Sequence, residues 1–156
     1  MSEPITIVPY SAAYRTAFKA LNQEWIDYYF TMEAEDTKML DHPDTEIIEK
    51  GGYIAVALLE GEAVGVCALL KMEHPLFEYE LAKMGVSPKA RNRGIGFLLG
   101  TAIIDKAREL GASQLYLASN AKLGPALRLY RKLGFIDIEG IDSPYERCDV
   151  QMSLTL

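Results

Sequence analysis

The chain has 156 residues, of which 49% are hydrophobic, and a formal net charge of −6. This length predicts one domain over residues 1–156 with enough apolar side chains for a core, and the negative charge argues against nucleic acid as a partner. No apolar run is as long as the about 20 residues that a helix needs to cross a bilayer, and the acidic first residues do not resemble a signal peptide. We therefore expect a soluble, cytoplasmic protein with no membrane partner.

The first third of the chain predicts a strand, a helix and an acidic loop. Residues 5–8 predict a short strand, and Ser11 is suited to cap the helix that follows. Residues 31–43 are polar and acidic and predict a loop, while residues 45–50 predict a short helix closed by Gly51-Gly52. The first helix is predicted from apolar residues at steps of three and four, namely Tyr14, Phe18, Leu21, Trp25 and Tyr28.

The middle of the chain predicts an antiparallel meander of three strands. These strands are expected at residues 53–59, 63–72 and 77–86, and Glu60-Gly61 forms a tight turn between the first two. The chain has two cysteines, Cys67 in this meander and Cys148 near the C-terminus, and their spacing fits neither a C-x-x-C motif nor a zinc site. We expect both to be buried free thiols rather than metal ligands.

A β-α-β unit is predicted after the meander. A helix ends at Gly111, and residues 114–118 form a strand for which this order implies a parallel neighbour. Pro125 suits the first turn of a further helix that Gly134 ends. The first of these helices carries an apolar face of Ile95, Leu98, Leu99, Ala102, Ile103, Ala107 and Leu110. The last two strands are expected at residues 136–141 and 145–154.

The turn between the third meander strand and the next helix has the composition of an anion-binding loop. A helix N-terminus leaves backbone N–H groups unpaired and carries a partial positive charge, and glycines let the backbone approach a phosphate closely. We expect the amides of residues 93–96 to bind a phosphorylated cofactor, with Arg91 and Arg93 either contacting it or serving as surface charge. The turn is Val86-Ser87-Pro88-Lys89-Ala90-Arg91-Asn92-Arg93-Gly94-Ile95-Gly96.

Two common phosphate-binding motifs do not fit this turn. A P-loop requires Gly-Lys-Ser/Thr, but Gly94 is followed by Ile95-Gly96 without a lysine. A dinucleotide-binding G-x-G-x-x-G motif requires a third glycine where Leu99 stands, and an acidic residue where residues 115–118 are uncharged. The pattern that remains is R-x-x-G-x-G from Arg91 to Gly96.

A second motif, A-x-x-x-Y-x-x-x-G-F from Ala126 to Phe135, follows at a matching separation. Together the two motifs resemble the GNAT superfamily of acetyl-CoA-dependent N-acetyltransferases, from about Tyr53 to the C-terminus. The resemblance implies a mixed α/β fold, in which an antiparallel meander precedes a parallel β-α-β acyl-CoA-binding unit and the sheet splays open after the third meander strand. It also implies acetyl-CoA as cofactor, with its pantetheine arm in that gap.

The resemblance also implies which residues contact the cofactor. Many members have an asparagine where this chain has Leu123, and Asn120, three residues earlier, is the candidate for the same pantetheine contact. The implied cofactor-binding residues are Met84, Gly85, Val86, Arg91, Asn92, Arg93, Gly94, Ile95, Gly96, Asn120 and Tyr130.

Two titratable residues are candidates for catalysis. A phenol near a thiolate can donate a proton, which makes Tyr130 the candidate acid; periodicity alone also allows a core aromatic, but the surrounding motif favours the acid. Glu80 is expected on one strand face with Ala82, Met84 and Val86, where apolar surroundings raise a carboxyl pKa and suit it to accept the amine proton. Glu80 could instead form a structural salt bridge, for example with Lys83 or Arg147, or be exposed to solvent if a bulge shifts the alternation. The resemblance implies backbone N–H groups of residues 84–86 as oxyanion donors.

The acceptor is predicted to be an amine. The acidic loop after the first helix either binds an ammonium or is simply solvated, and Arg147 would suit a substrate carboxylate. A small amine or amino acid is the first choice of acceptor, a protein lysine or N-terminus the second. A non-catalytic acyl-CoA-sensing module is the competing class, and a homodimer is possible. The candidate acceptor residues are Tyr29, Glu33, Tyr145 and Arg147.

Overall fold

Seven strands form one sheet in the computed structural model, which describes residues 4–156. The strand order is β1-β2-β3-β4-β5-β7-β6, and all neighbours are antiparallel except β4 and β5, which are parallel. The predicted fold class, an antiparallel meander followed by a parallel β-α-β unit, is therefore confirmed. The strands are β1 (Ile5–Pro9), β2 (Tyr53–Leu59), β3 (Glu62–Lys71), β4 (Tyr79–Val86), β5 (Gln114–Ser119), β6 (Ile136–Ile138) and β7 (Val150–Thr155).

Helices cover both faces of this sheet. On one face α1 and α2 enclose a core that includes Phe18, Ile26 and Leu40, and on the other α3 and α4 enclose a larger core that includes Leu99 and Leu127. Burial of these apolar side chains is the main favourable term in folding. The helices are α1 (Arg15–Tyr29), α2 (Ala34–Asp41), α3 (Ile95–Glu109) and α4 (Gly124–Leu133), with shorter helical turns at Ala12–Tyr14, Asp44–Ile48 and Pro88–Ala90.

The parallel pair β4–β5 opens after two residue pairs. Tyr79 pairs with Leu115 and Glu80 with Tyr116, and from Leu81 onward β4 has no strand partner on this side. The backbone groups of the second half of β4 therefore face a gap in the sheet and are free to bind a ligand.

A β-bulge at Lys83 changes the direction of the side chains along β4. Ala82 pairs with Ala68 and Gly85 with Val66, so two residues of β4 oppose the single residue Cys67. Lys83 has a φ of 53°, the left-handed conformation that non-glycine residues rarely adopt.

The bulge makes one sequence prediction wrong. Glu80 was expected on the same strand face as Met84 and Val86, but those two side chains join the core of α3 and α4, whereas Ala82 joins the core of α1. The extra residue shifts the alternation by one position, because side chains of a strand alternate between its faces.

The predicted loop over residues 31–43 is also wrong, because α2 occupies most of it. Glu33 and Asp36 form a reciprocal capping box at the start of this helix, and Leu40 is fully buried. The last two strands are shorter than predicted, and residues 139–149 form a loop between them. The other predicted helices and strands are confirmed, with ends shifted by a few residues.

Candidate active site

A cavity of about 490 Å³ lies where β4 and β5 separate. Its first part, which we call the glycine side, is formed by the turn before α3 and by α4, and is lined by Arg91, Asn92, Gly96, Leu129 and Tyr130. Its second part, which we call the aromatic side, is formed by the end of α1 and by the loop 139–149, and is lined by Trp25, Tyr29, Phe30, Tyr145 and Arg147. Glu80 and the bulged part of β4 lie along the same cavity.

The glycine side is shaped by the first turn of α3. Gly94 has a φ of 72°, and no side chain caps the helix, so its first N–H groups remain available to an anion. A Cβ on Gly96 would lie 2.9 Å from Leu129 Cδ2, so the glycine at this position lets α3 pack closely against α4. This turn, which we call the phosphate cradle, thus offers backbone N–H donors of the kind that bind a phosphate group.

The predicted cofactor residues are not all placed alike around this cradle. Met84, Gly85, Val86, Arg91, Asn92, Gly96, Asn120 and Tyr130 line the cavity. Arg93 and Gly94 are exposed beside it, and Ile95 turns its side chain into the core. Ile95 can therefore contribute its backbone N–H alone.

Tyr130 lies on α4 with only 9% of its surface exposed. Its carbonyl accepts the N–H of Phe135, whose ring meets the tyrosine ring edge to face at 6.2 Å. This contact explains the sequence motif, because the left-handed Gly134 turns the chain so that Phe135 folds back on the helix. Burial raises the pKa of Tyr130 above its usual value near 10, so its hydroxyl stays protonated at neutral pH.

Glu80 is the last residue of β4 that pairs with β5, and it lines the cavity. Burial raises the pKa of its carboxyl to about 7, the nearby cation of Lys83 opposes this shift, and the carboxylate of Glu35 adds to it. Among the described residues Glu80 has no ion pair, because Lys83 and Arg147 bind Asp36 instead. The predicted rise in pKa therefore agrees with the structure, and the alternative of a salt bridge does not.

Asp36 connects α2 with β4 and with the loop 139–149, next to the aromatic side of the cavity, which we also call the acceptor end. It is fully buried on α2, and its Oδ1 accepts hydrogen bonds from Lys83 Nζ at 2.6 Å and from Arg147 Nη2 at 2.5 Å. Its Oδ2 accepts from Arg147 Nη1 at 2.6 Å and from the N–H of Glu33 at 2.9 Å. Burial alone would raise the pKa of Asp36, but the hydrogen bonds and the two cations outweigh it and lower the pKa to about 2.

This network gives two predicted acceptor residues a structural role. Arg147, expected to bind a substrate carboxylate, already holds the carboxylate of Asp36 with both Nη atoms and lies 3.4 Å from Glu33. Glu33 begins α2 and accepts the N–H of Glu146. Both residues therefore fix the loop 139–149 to α2, while Tyr29 and Tyr145, the other two candidate acceptor residues, line the cavity.

Asn120 has a similar bracing function. Its Nδ2 donates to the carbonyl of Arg147 at 2.7 Å, and its Oδ1 accepts the N–H of Lys122 at 2.8 Å. The side chain lines the cavity, but these bonds already hold its amide between the end of β5 and the loop 139–149.

Trp25, Phe30 and Cys148 are among the cavity residues that were not predicted as site residues. In the sequence, Trp25 is part of the apolar pattern of α1, and Phe30 directly follows that helix. The half-buried Cys148 lies in a loop rather than in the predicted strand. No local pattern marks these residues, because only the tertiary fold brings α1 and the loop 139–149 together. Cys67 is buried as predicted.

One cavity thus brings together the uncapped N-terminus of α3, the carboxyl group of Glu80 and the buried phenol of Tyr130, and similarity to known proteins identifies the class of protein. Residues 16–135 match the Acetyltransferase (GNAT) family. The chain belongs to this family, whose members use acetyl-CoA to acetylate amine acceptors.

Individual relatives agree with this assignment. The N-alpha-acetyltransferase RimI of Mycobacterium tuberculosis is 37% identical over 76 residues, which are 48% of this chain and 46% of that protein. A GNAT-family acetyltransferase of Staphylococcus aureus superposes with a TM-score of 0.86 at 21% identity, covering 97% of this chain and 99% of that one. A phosphinothricin acetyltransferase of Sinorhizobium meliloti, solved in complex with acetyl-CoA, gives a TM-score of 0.79 at 21% identity, covering 97% and 88%.

The chain spans about half the length or less of several curated relatives that it matches. Within residues 4–156, none of the helices has the length and apolar character needed to cross a membrane.

The Asp36 network predicts a large stability effect. Replacing Asp36 with asparagine leaves two buried cations without their shared carboxylate, so we expect the free energy of unfolding to fall by about 3 to 5 kcal/mol in denaturant titrations. Because the pKa of Asp36 is lowered to about 2, its contribution is present above pH 4 and is lost as the pH falls towards 2. The matched control Glu62→Gln, on an exposed pair with Lys89, should change stability little, and equal losses in both variants would contradict the role of the network.

Proposed function

We propose that this protein is an N-acetyltransferase that moves an acetyl group from acetyl-CoA to a primary amine by direct attack. The observation that supports it best is that Glu80 and Tyr130 line one cavity next to the uncapped N-terminus of α3. The glycine side would hold the cofactor phosphates through the N–H groups of residues 93–96, and when bound the cofactor supplies an acetyl thioester.

Glu80 would act as the general base. An amine attacks only when it is unprotonated, so a carboxylate must take a proton from its nitrogen, directly or through water. The pKa of about 7 places Glu80 close to the working pH, where a base is ionised yet still basic enough to accept a proton.

Tyr130 would act as the general acid. Its buried hydroxyl stays protonated at neutral pH and can donate its proton to the leaving sulfur. Negative charge on the carbonyl oxygen would be stabilised by N–H groups of residues 84–86, which lie beyond the β4–β5 pairing.

A small amine is the proposed acceptor, and a protein N-terminus is the second candidate. The second is favoured by the 37% identity to a protein named as an N-alpha-acetyltransferase. Thiol release from acetyl-CoA should be measured across a panel of small amines, amino acids and peptides with free N-termini. Turnover with small amines supports the proposal, and turnover with peptides alone favours the second candidate. Binding of acetyl-CoA without thiol release in the presence of any acceptor points to a non-catalytic acyl-CoA-sensing module.

Acetyl-CoA should stabilise the protein in thermal unfolding. A ligand that binds only the native state adds about 2.7 kcal/mol at a hundredfold excess over its dissociation constant. Gly94→Asp and Gly96→Asp should abolish this stabilisation, because each places a carboxylate at the phosphate cradle and Gly96→Asp also approaches Leu129. The matched control is Gly61→Asp, at a positive φ in open space away from the cavity, and it should keep the full effect. Undiminished binding in both cradle variants would exclude the glycine side as the cofactor site.

A further inference from the structure

The two cationic side chains at the aromatic side of the cavity are already paired with a buried carboxylate. Four charged residues line the cavity, namely Glu80, Lys83, Arg91 and Arg147. Arg91 belongs to the glycine side, so Lys83 and Arg147 are the two cations near the acceptor end. Both of them bind Asp36.

Neither of these two cations is available to a carboxylate of the acceptor. Arg147 binds both oxygens of Asp36, and its guanidinium lies 4.6 Å from the ring of Tyr145 and 5.7 Å from those of Trp25 and Phe30. The Lys83 side chain is 4% exposed, and its ammonium lies between Asp36 and the ring of Tyr145, at 2.6 and 4.5 Å. To reach either cation, a carboxylate of the acceptor would have to displace Asp36, which is fully buried and accepts four hydrogen bonds.

The remaining local field is negative. Glu33 and Asp36 balance the two cations, while Glu35 and Glu80 have no ion pair among the described residues. The groups that act on Glu80 are Lys83 on its own strand and Glu35 on α2, and its charge in turn acts on Tyr116 and Tyr145. Such a field attracts the ammonium form of an acceptor and repels a carboxylate.

The walls of the same space are aromatic. Trp25, Tyr29 and Phe30 come from the end of α1, and Tyr145 faces them from the loop 139–149. Aromatic side chains favour edge or offset contacts with another ring and bury a large apolar area. On the basis of the proposed function, we infer that the acceptor is a primary amine on an aromatic body that carries no carboxylate beside the amine.

Three amines with the same phenylethyl skeleton test this inference on the wild-type enzyme. These are 2-phenylethylamine, L-phenylalanine, which adds a carboxylate, and L-phenylalaninamide, which replaces that charge with a neutral amide. Expressed per unprotonated amine, kcat/KM for 2-phenylethylamine should exceed that for L-phenylalanine by at least about tenfold. The amide should recover most of the difference, because it restores neutrality while keeping the added bulk.

A pair of variants tests the aromatic part of the inference. Tyr29 lines the cavity and is 39% exposed, whereas its neighbour Tyr28 is 81% exposed and does not line it. Tyr29→Ala should raise KM for 2-phenylethylamine several-fold while leaving KM for n-propylamine nearly unchanged, and Tyr28→Ala should alter neither. Both positions are exposed enough for truncation without loss of the fold.

The outcomes separate this inference from the proposed function. L-Phenylalanine that reacts as well as or better than 2-phenylethylamine would overturn the inference while leaving N-acetyltransferase activity in place. Equal kcat/KM for n-propylamine and 2-phenylethylamine would overturn its aromatic part. Absence of acetyl transfer to every amine, amino acid and peptide tested would overturn the proposed function itself.

Discussion

Tyr130→Phe should lower kcat by about 100- to 10,000-fold, which corresponds to about 3 to 5 kcal/mol of barrier. The substitution keeps the ring that packs on Phe135 and removes only the hydroxyl, so the helix and the cavity should persist. The loss should therefore appear in kcat, measured by thiol release at saturating substrates, with little change in the dissociation constant of acetyl-CoA.

The acidity of the leaving thiol provides a second measurement for the same variant. An acyl donor with a more acidic thiol needs less help from a proton donor, so the deficit of Tyr130→Phe should shrink with such donors. Tyr10→Phe is a matched control, because its hydroxyl lies near Asp44, away from the cavity, and it should keep wild-type kcat. If Tyr130→Phe instead unfolds the protein, or loses cofactor binding at an unchanged kcat, the hydroxyl is not the acid.

The parts of the site that the sequence predicts are those made by local motifs. The glycine turn and the cap that places Phe135 against Tyr130 depend on residues close together in the chain, where glycines and helix ends have recognisable patterns. The antiparallel meander and the parallel neighbour of β5 also follow from local patterns, because a β-α-β unit allows few arrangements.

The acceptor end could not be predicted in the same way, because it depends on contacts between distant residues. Asp36 binds Lys83 across 47 positions and Arg147 across 111. In the sequence, Asp36 is one acidic residue of a polar stretch, and its burial against two cations depends on residues far away in the chain. The bulge at Lys83 is equally hidden, since regular alternation would place Glu80, Met84 and Val86 on one face.

The bulge has a consequence for the chemistry of the site. It lets β4 present Glu80 and Lys83 towards α1 and α2, while Met84 and Val86 turn towards α3 and α4. A single strand thus faces the acceptor end with its charged residues and supports the cofactor end with apolar ones. Gly85 allows this arrangement to approach α1, because a Cβ there would lie 2.6 Å from the carbonyl oxygen of Leu21.

Glu80→Gln should lower turnover most strongly near neutral pH, by about 100-fold or more if the carboxylate is the base. In the wild type, kcat/KM should rise as the pH passes through about 7, the pKa of Glu80, because only the ionised carboxylate accepts a proton. In the variant this rise should disappear, and activity should recover at higher pH, where free amine is present without a base.

Glu35→Gln is the matched control for this pH profile. The carboxylate of Glu35 helps to raise the pKa of Glu80, so its removal should shift the wild-type profile towards lower pH and leave the plateau rate nearly unchanged. The free energy of unfolding provides an independent test of the raised pKa of Glu80. Because this pKa is higher in the folded protein than in the unfolded chain, ionisation of Glu80 destabilises the fold as the pH rises from about 4 through 7. Glu80→Gln should therefore gain stability relative to the wild type at pH 8 but not at pH 4. If Glu80→Gln keeps the wild-type rate at every pH, Glu80 takes no part in proton transfer.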